Sequence, residues 1–160
     1  MAQAYVPIQT VTVGASGSAS IDFTNIPQTY TDLCLHLSLR SAGTLTPYAL
    51  MRFNGSSSSY TNRRLNGDGS TPGAGSPNYT YIVLGVTDST SQTTSTFSSY
   101  SVYIPNYTSS NYKSVLSDNV QENNSSTAYI YCMTGLWSNT SVITSISITD
   151  ESASNSFAQY

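Results

Sequence analysis

The chain has 160 residues, with 5 Lys+Arg against 8 Asp+Glu, one His and a formal net charge of −3. That length suits one domain, residues 1–160, with a core of its own, while the weak acidic charge, with Arg63-Arg64 as the one adjacent basic pair, argues against a nucleic-acid partner. No run approaches the roughly 20 apolar residues that span a bilayer, and Met1-Ala2-Gln3-Ala4-Tyr5 has neither the basic nor the apolar region of a secretory signal, so folding in a cytoplasm is expected.

Ser and Thr make up about a third of the residues, beside 13 Tyr. Such a composition ordinarily leaves too little apolar surface to offset chain entropy. Here, however, apolar residues recur at every second position in short runs, the pattern of half-buried strands. Tyr5–Val13 is the first predicted strand, and Pro7 assigns it to an edge because proline cannot donate to a ladder. Ser18–Phe23 follows the Gly14–Gly17 turn. Asp32–Arg40 sets Leu33, Leu35, Leu37 and Leu39 on one face against Cys34, His36 and Ser38, an alternation that calls for a core-facing strand. Ala49–Phe53 ends at the turn dipeptide Asn54-Gly55, with Tyr60–Leu65 as its hairpin partner.

Asn66–Asn78, with four Gly and two Pro, reads as a long exposed loop. Tyr79–Val86 resumes the strand pattern, and Thr87–Ser95 is a low-complexity polar loop. Phe97–Ile104 sets Tyr100, Val102 and Ile104 together. Pro105–Asn111 then turns the chain into Lys113–Val120, with Leu116 and Val120 on one side. After the polar loop Gln121–Ser126, Thr127–Trp137 alternates Tyr129, Tyr131 and Met133 against Ile130, Cys132 and Leu136. Val142–Thr149 groups Thr144, Ile146 and Ile148. Short strands separated by turn signals, with no apolar period of 3.6, predict an all-β antiparallel sandwich of jelly-roll type with about eight to ten strands.

The residues offer little to catalysis. His36 stands mid-strand between leucines with no acid near it in sequence, which fits a satisfied histidine on the second face of the sheet better than a base or a metal ligand. No Gly-x-Ser-x-Gly elbow activates any serine. Asn66-Gly67-Asp68-Gly69-Ser70 lacks the distal glutamate of a calcium loop and reads as a turn. Six Asn-x-Ser/Thr sequons, at Asn54, Asn78, Asn106, Asn123, Asn124 and Asn139, follow from the Ser/Thr content alone. Cys34 and Cys132 are expected as free, buried thiols. No catalytic residue, metal or cofactor is expected.

The tyrosines point elsewhere. Tyr60, Tyr79, Tyr107, Tyr112 and Tyr160 sit in or beside predicted loops among Ser and Asn. Tyr gives stiff contact area at low entropy cost while Ser and Asn adapt their hydrogen bonds, the mixture of recognition surfaces. Packing inside the fold would use the same residues.

Several blocks together resemble one family. Ser20–Leu33 (SIDFTNIPQTYTDL), Met51-Arg52-Phe53-Asn54-Gly55 with Tyr60, Ile104-Pro105-Asn106-Tyr107 leading into Lys113, and Gly135-Leu136-Trp137-Ser138 through Ile146 are similar, in this order, to a widespread family of tailed-bacteriophage virion proteins. The resemblance implies a non-enzymatic β-structured component of the particle exterior: a capsid decoration protein, a head-fibre subunit or a tail-fibre module. It further implies copies of itself, as trimers, and other virion proteins such as the capsid as partners, with the virion as location. Loop tyrosines in a tail-fibre module would alternatively recognise host surface glycans.

Overall fold

The computed structural model describes residues 5–76, 79–152 and 154–159. Among them no helix forms. The described residues form ten strands: β1 Ser20–Phe23, β2 Leu33–Leu39, β3 Tyr48–Phe53, β4 Tyr60–Gly67, β5 Pro72–Gly75, β6 Ile82–Val86, β7 Ser98–Ile104, β8 Lys113–Gln121, β9 Tyr129–Trp137 and β10 Ile146–Asp150. They form a small sheet of order β1-β10-β3-β6 and a large sheet of order β2-β7-β8-β9-β4-β5, and every ladder between them is antiparallel. The chain changes sheet after β1, β2, β3, β5, β6 and β9. This is the strand order of a double-Greek-key jelly roll in which a three-stranded meander, β7-β8-β9, fills the place of one strand.

The leucine alternation of β2 does what its period requires. Leu33, Leu35, Leu37 and Leu39 are buried and lie in register with Ile104, Val102, Tyr100 and Ser98 of β7. They meet Ile21, Met51, Phe53, Ile146 and Ile148 from the small sheet in one core, and each buried leucine contributes about 2 kcal/mol by area. At one end of this core Trp137 packs against Phe53 and stacks on Tyr60, at 5.4 and 6.3 Å between ring centres.

Three local expectations do not hold. Tyr5–Val13 forms no ladder: its Tyr5–Gln9 part lies on the β2 side of the sandwich without joining either sheet. Tyr60–Gly67 is no hairpin partner of β3: the chain crosses from the small to the large sheet between them, and β4 pairs with β9 and β5. That crossing is pinned by Asn54, whose Oδ1 accepts from the amides of Thr144 and Ser145. Within 66–78 a short strand does form, β5, held against Arg64–Gly67 by backbone bonds that ask nothing of its Pro-Gly-Ala-Gly side chains. Its turn is closed by Asp68, whose Oδ1 accepts from Ser70 N, Thr71 N and the Ser70 hydroxyl; these bonds hold the carboxyl below its ordinary pKa. The 87–95 segment is the loop the sequence predicts, and the residues that open it, Thr87, Asp88 and Ser89, are fully buried.

The thiols depart from expectation as well. Both are free, but Cys34 is only half-buried and Cys132 is exposed, because each lies on the outer face of the large sheet. β7 and β8 separate their strands, a spacing of about 14 Å that no disulfide bridges.

The way the sandwich closes is unusual for its chemistry. β6 is an edge of the small sheet, and its outer backbone groups find partners in side chains rising from the inner face of the large sheet. Asn62 Oδ1 accepts from Val83 N and its Nδ2 donates to Tyr81 O. The Ser117 hydroxyl donates to Leu84 O, Asn119 Oδ1 accepts from Val86 N, and Gln121 Nε2 donates to Thr87 O. Asn62, Ser117, Asn119 and Gln121 are all buried, and buried polar groups need such partners. The inner face of β8 is therefore Lys113, Val115, Ser117, Asn119 and Gln121, and its apolar Leu116 and Val120 face out.

Candidate interaction surface

That inversion creates the most distinctive surface of the molecule. The strand registers set the outward side chains of the large sheet in rows. One row runs Ser99–Val120–Ile130–Gly67, the next Ser101–Asp118–Cys132–Leu65, and the third Tyr103–Leu116–Thr134–Arg63. Leu65 is 63% exposed and Ile130 61%, with Val120, Leu116 and Tyr103 at 40–45%. Three rows across four strands cover roughly 20 by 19 Å, on the order of 400 Å². Five of the twelve positions are exposed large apolar residues, on the order of 200 Å² of that face, and contiguous exposed apolar surface on one protein is commonly a contact surface. Asp118 and Arg63 are its charged members.

The patch has a fixed corner and a depression. The Tyr103 hydroxyl donates to Asp32 Oδ2 at 2.8 Å, a bond that raises its phenol pKa and locks the ring, while Asp32 Oδ1 accepts from Asn106 N. Beside it a hollow of about 550 Å³ opens between Arg63, Tyr103, Pro105, Leu116 and Leu136. Gly135 at its floor has no room for a side chain, because a Cβ there would lie 2.7 Å from Ile82 of the opposite sheet.

The tyrosines expected to make contacts do not form one surface. Tyr60 is buried: its hydroxyl accepts from Phe53 N and donates to Ser56 O, and burial raises its pKa. Tyr107 is fully buried and bonds to the Pro27 carbonyl. Both are packing residues, and burial removes them from any contact surface. Tyr79 is exposed ahead of β6, stacked on Tyr81 at 4.8 Å, with the Arg52 guanidinium over the Tyr81 ring. Tyr112 is exposed ahead of β8. Tyr160 lies outside the described residues, as does the sequon at Asn78.

A second tyrosine group escaped the sequence reading. Tyr48, Tyr81 and Tyr129 are half-buried around Tyr131, where the large sheet extends beyond β6. Tyr48 meets Tyr131 edge-on at 6.1 Å, and Arg64 Nη1 donates to the Tyr48 hydroxyl. Burial pushes the Tyr131 phenol up. Tyr129 and Tyr131 share one face of β9, but Tyr48 lies on β3 and Tyr81 ahead of β6, and no sequence spacing links those three places.

The chemistry-bearing residues stay dispersed. His36 is exposed on the outer face of β2, opposite Ser101. Among the described residues no three His, Cys, Asp or Glu side chains gather as a metal site. Searches against protein-family models, curated proteins and solved structures find no match for this chain.

Proposed function

We propose that this protein is a non-enzymatic structural subunit that works by protein–protein binding through the outer face of its large sheet. The observation that carries this reading is the exposed Leu65–Ile130–Val120–Leu116 patch on a stiff six-stranded sheet. A rigid apolar surface with few charges to desolvate suits tight packing against another protein. The family resemblance of the sequence gives the setting: the exterior of a phage particle, as capsid decoration or a head-fibre subunit, made in the host cytoplasm and resident in the virion. Capsid and neighbouring subunits are then the partners.

Particles purified with and without this gene product, imaged at resolution sufficient to see added density, test the setting. A Leu65→Asp/Ile130→Asp variant that folds normally tests the surface: it is expected to be missing from particles. Particles that carry the double variant at wild-type level would refute the proposed face.

One observation favours a second reading. Half-buried Tyr48, Tyr81 and Tyr129, with Arg52 and Arg64 beside them, offer ring faces and donors of the kind that bind sugars. A tail-fibre module recognising host glycans would show glycan-array binding that Tyr81→Ala and Tyr129→Ala abolish and that Leu65→Asp leaves intact.

A further inference from the structure

The sandwich is stitched shut along β6 but open along the opposite side, where β1 and β2 are the last strands of their sheets. Only one end of that side is closed. Phe157 exchanges backbone bonds with Ser18 and bridges Ser41, and Ala158 N donates to Arg40 O. Beyond that point the edge of β2 has no ladder partner among the described residues. The segment Tyr5–Gln9 runs beside it, and a slot of about 650 Å³ lies between, reaching Phe23, Ile26, Leu33, Leu35 and Ile146 of the core. Five residues of strand, about 17 Å long, 4.8 Å from their neighbour and 10 Å deep between sheet faces, occupy on the order of 800 Å³. The slot therefore has the size of one short strand.

The same side of the molecule carries an unused strand. Residues 5–13 have the alternating β-branched pattern of one, yet they form no ladder, with Tyr5 78%, Val6 53% and Ile8 41% exposed. The segment is joined to β1 through a tight turn in which Gly17 N donates to Gly14 O, and Gly14 has no heavy atom within 4 Å of where its Cβ would be. Such a turn is a hinge on which an arm can swing away from its own body.

We propose that Tyr5–Val13 is an exchange arm that inserts into this slot of a second copy and adds an antiparallel strand to the free edge of its β2. Pro7 fixes the parity. It has no amide hydrogen, so it must turn its nitrogen outward, which leaves Val6, Ile8, Thr10 and Thr12 to bond to β2. The added strand then ends in an edge blunted by proline, unable to recruit a further chain. A seven-residue seam of about 23 by 10 Å, counted on both surfaces and in both directions of a reciprocal exchange, buries roughly 900 Å² before the slot lining is added. That approaches the ~1,000 Å² of a specific interface. Strand addition and arm exchange are established routes by which identical chains join.

This inference rests on the reading above only in that the partner is a polypeptide. The test uses the full chain. By light scattering the wild-type protein is expected at two or more times the single-chain mass, with the β2 edge amides protected from hydrogen exchange. Ile8→Pro, which removes a ladder donor, and Val11→Asp, which charges the core-facing side of the added strand, are expected at the single-chain mass with unchanged melting. In both, β2 edge amides should exchange at least tenfold faster. Excess Tyr5–Val13 peptide should dissociate the wild-type oligomer. A wild-type chain that stays single at all concentrations, or arm variants that remain associated, would overturn the proposal. Arm variants that remain associated while Leu65→Asp/Ile130→Asp becomes single would overturn it and leave the large-sheet surface standing.

Discussion

Replacing Asn119 by alanine is the sharpest test of how the two sheets are joined. Asn119 is 1% exposed, its Oδ1 accepts from Val86 N at 3.0 Å, and its Nδ2 donates to Ser99 O at 3.2 Å. Alanine strands the Val86 N–H in a dry interior and takes one partner from the Ser99 carbonyl. A stranded buried donor costs about 1–3 kcal/mol, and the lost bond to the carbonyl about 1 kcal/mol more. The expected loss is therefore about 2–4 kcal/mol. For a chain of this size that lowers the melting temperature by about 4–16 °C, at about 2–4 °C per kcal/mol. Urea titration followed by the fluorescence of buried Trp137, together with calorimetry, measures it. Asn111→Ala, at an exposed position, serves as the control and should stay within about 0.5 kcal/mol of wild type. Gly85, at φ 135°, has no space for a Cβ, which would lie 2.4 Å from Asn119 Oδ1. A loss for Asn119→Ala below about 1 kcal/mol, indistinguishable from the control, would refute the view that side chains of the large sheet cap β6.

Three further outcomes are expected. Asp68 has a carboxyl pKa lowered by turn hydrogen bonds, so its contribution is present above the ordinary carboxylate pKa near 4 and is lost as pH falls through the lowered folded value; Asp68→Asn should show a shallower fall in melting temperature between about pH 5 and 2. Tyr100 is fully buried, its hydroxyl donates to Val86 O at 2.6 Å, and desolvation raises its pKa far above the ordinary value. Its contribution is whole below about pH 10 and is lost as pH rises above that, so Tyr100→Phe should flatten alkaline unfolding while costing about 1–2 kcal/mol at neutral pH. A thiol titration of the native protein should find Cys132 reacting quickly and Cys34 more slowly, with no reducing agent needed to reveal either.

What was legible in the sequence follows from how strongly each segment's side chains decide its place. Leu33 to Leu39 could bury only one face, and the structure obeys. β5 was illegible because Pro72-Gly73-Ala74-Gly75 is held by backbone pairing alone. Tyr60 and Tyr107 sit beside turns, where sequence favours exposure, but each ring enters the core and satisfies its hydroxyl on a backbone carbonyl. β8 misleads most. Leu116 and Val120 are its large apolar residues after Val115, and an inward place for them is the ordinary expectation. The decisive fact, that Ser117, Asn119 and Gln121 meet the backbone of β6 across the sandwich, arises from a contact between strands some thirty residues apart. The arm 5–13 has the opposite fault: its pattern is that of a strand, but a strand needs an edge, and pattern alone does not supply one.

The polar seam and the apolar outer face are two sides of one arrangement. Because side chains alternate across a strand, committing Ser117, Asn119 and Gln121 to the small sheet's edge forces Leu116, Asp118 and Val120 outward. On β9 the inward demands of Tyr131, Met133 and Trp137 likewise force Ile130, Cys132 and Thr134 outward. On those strands a polar outer side would satisfy the fold equally well, so nothing in the interior explains why the outward positions hold Leu, Val and Ile. Their apolar character costs solubility, against which cross-strand pairs such as Val120–Ile130 return only about 0.2–1 kcal/mol each to the isolated chain. A partner that covers them converts that liability into binding energy, about 2 kcal/mol for each large side chain fully withdrawn from water. Leu65, Leu116, Val120 and Ile130 are 40–63% exposed, so covering all four would contribute about 4 kcal/mol, against which the cost of association must be set.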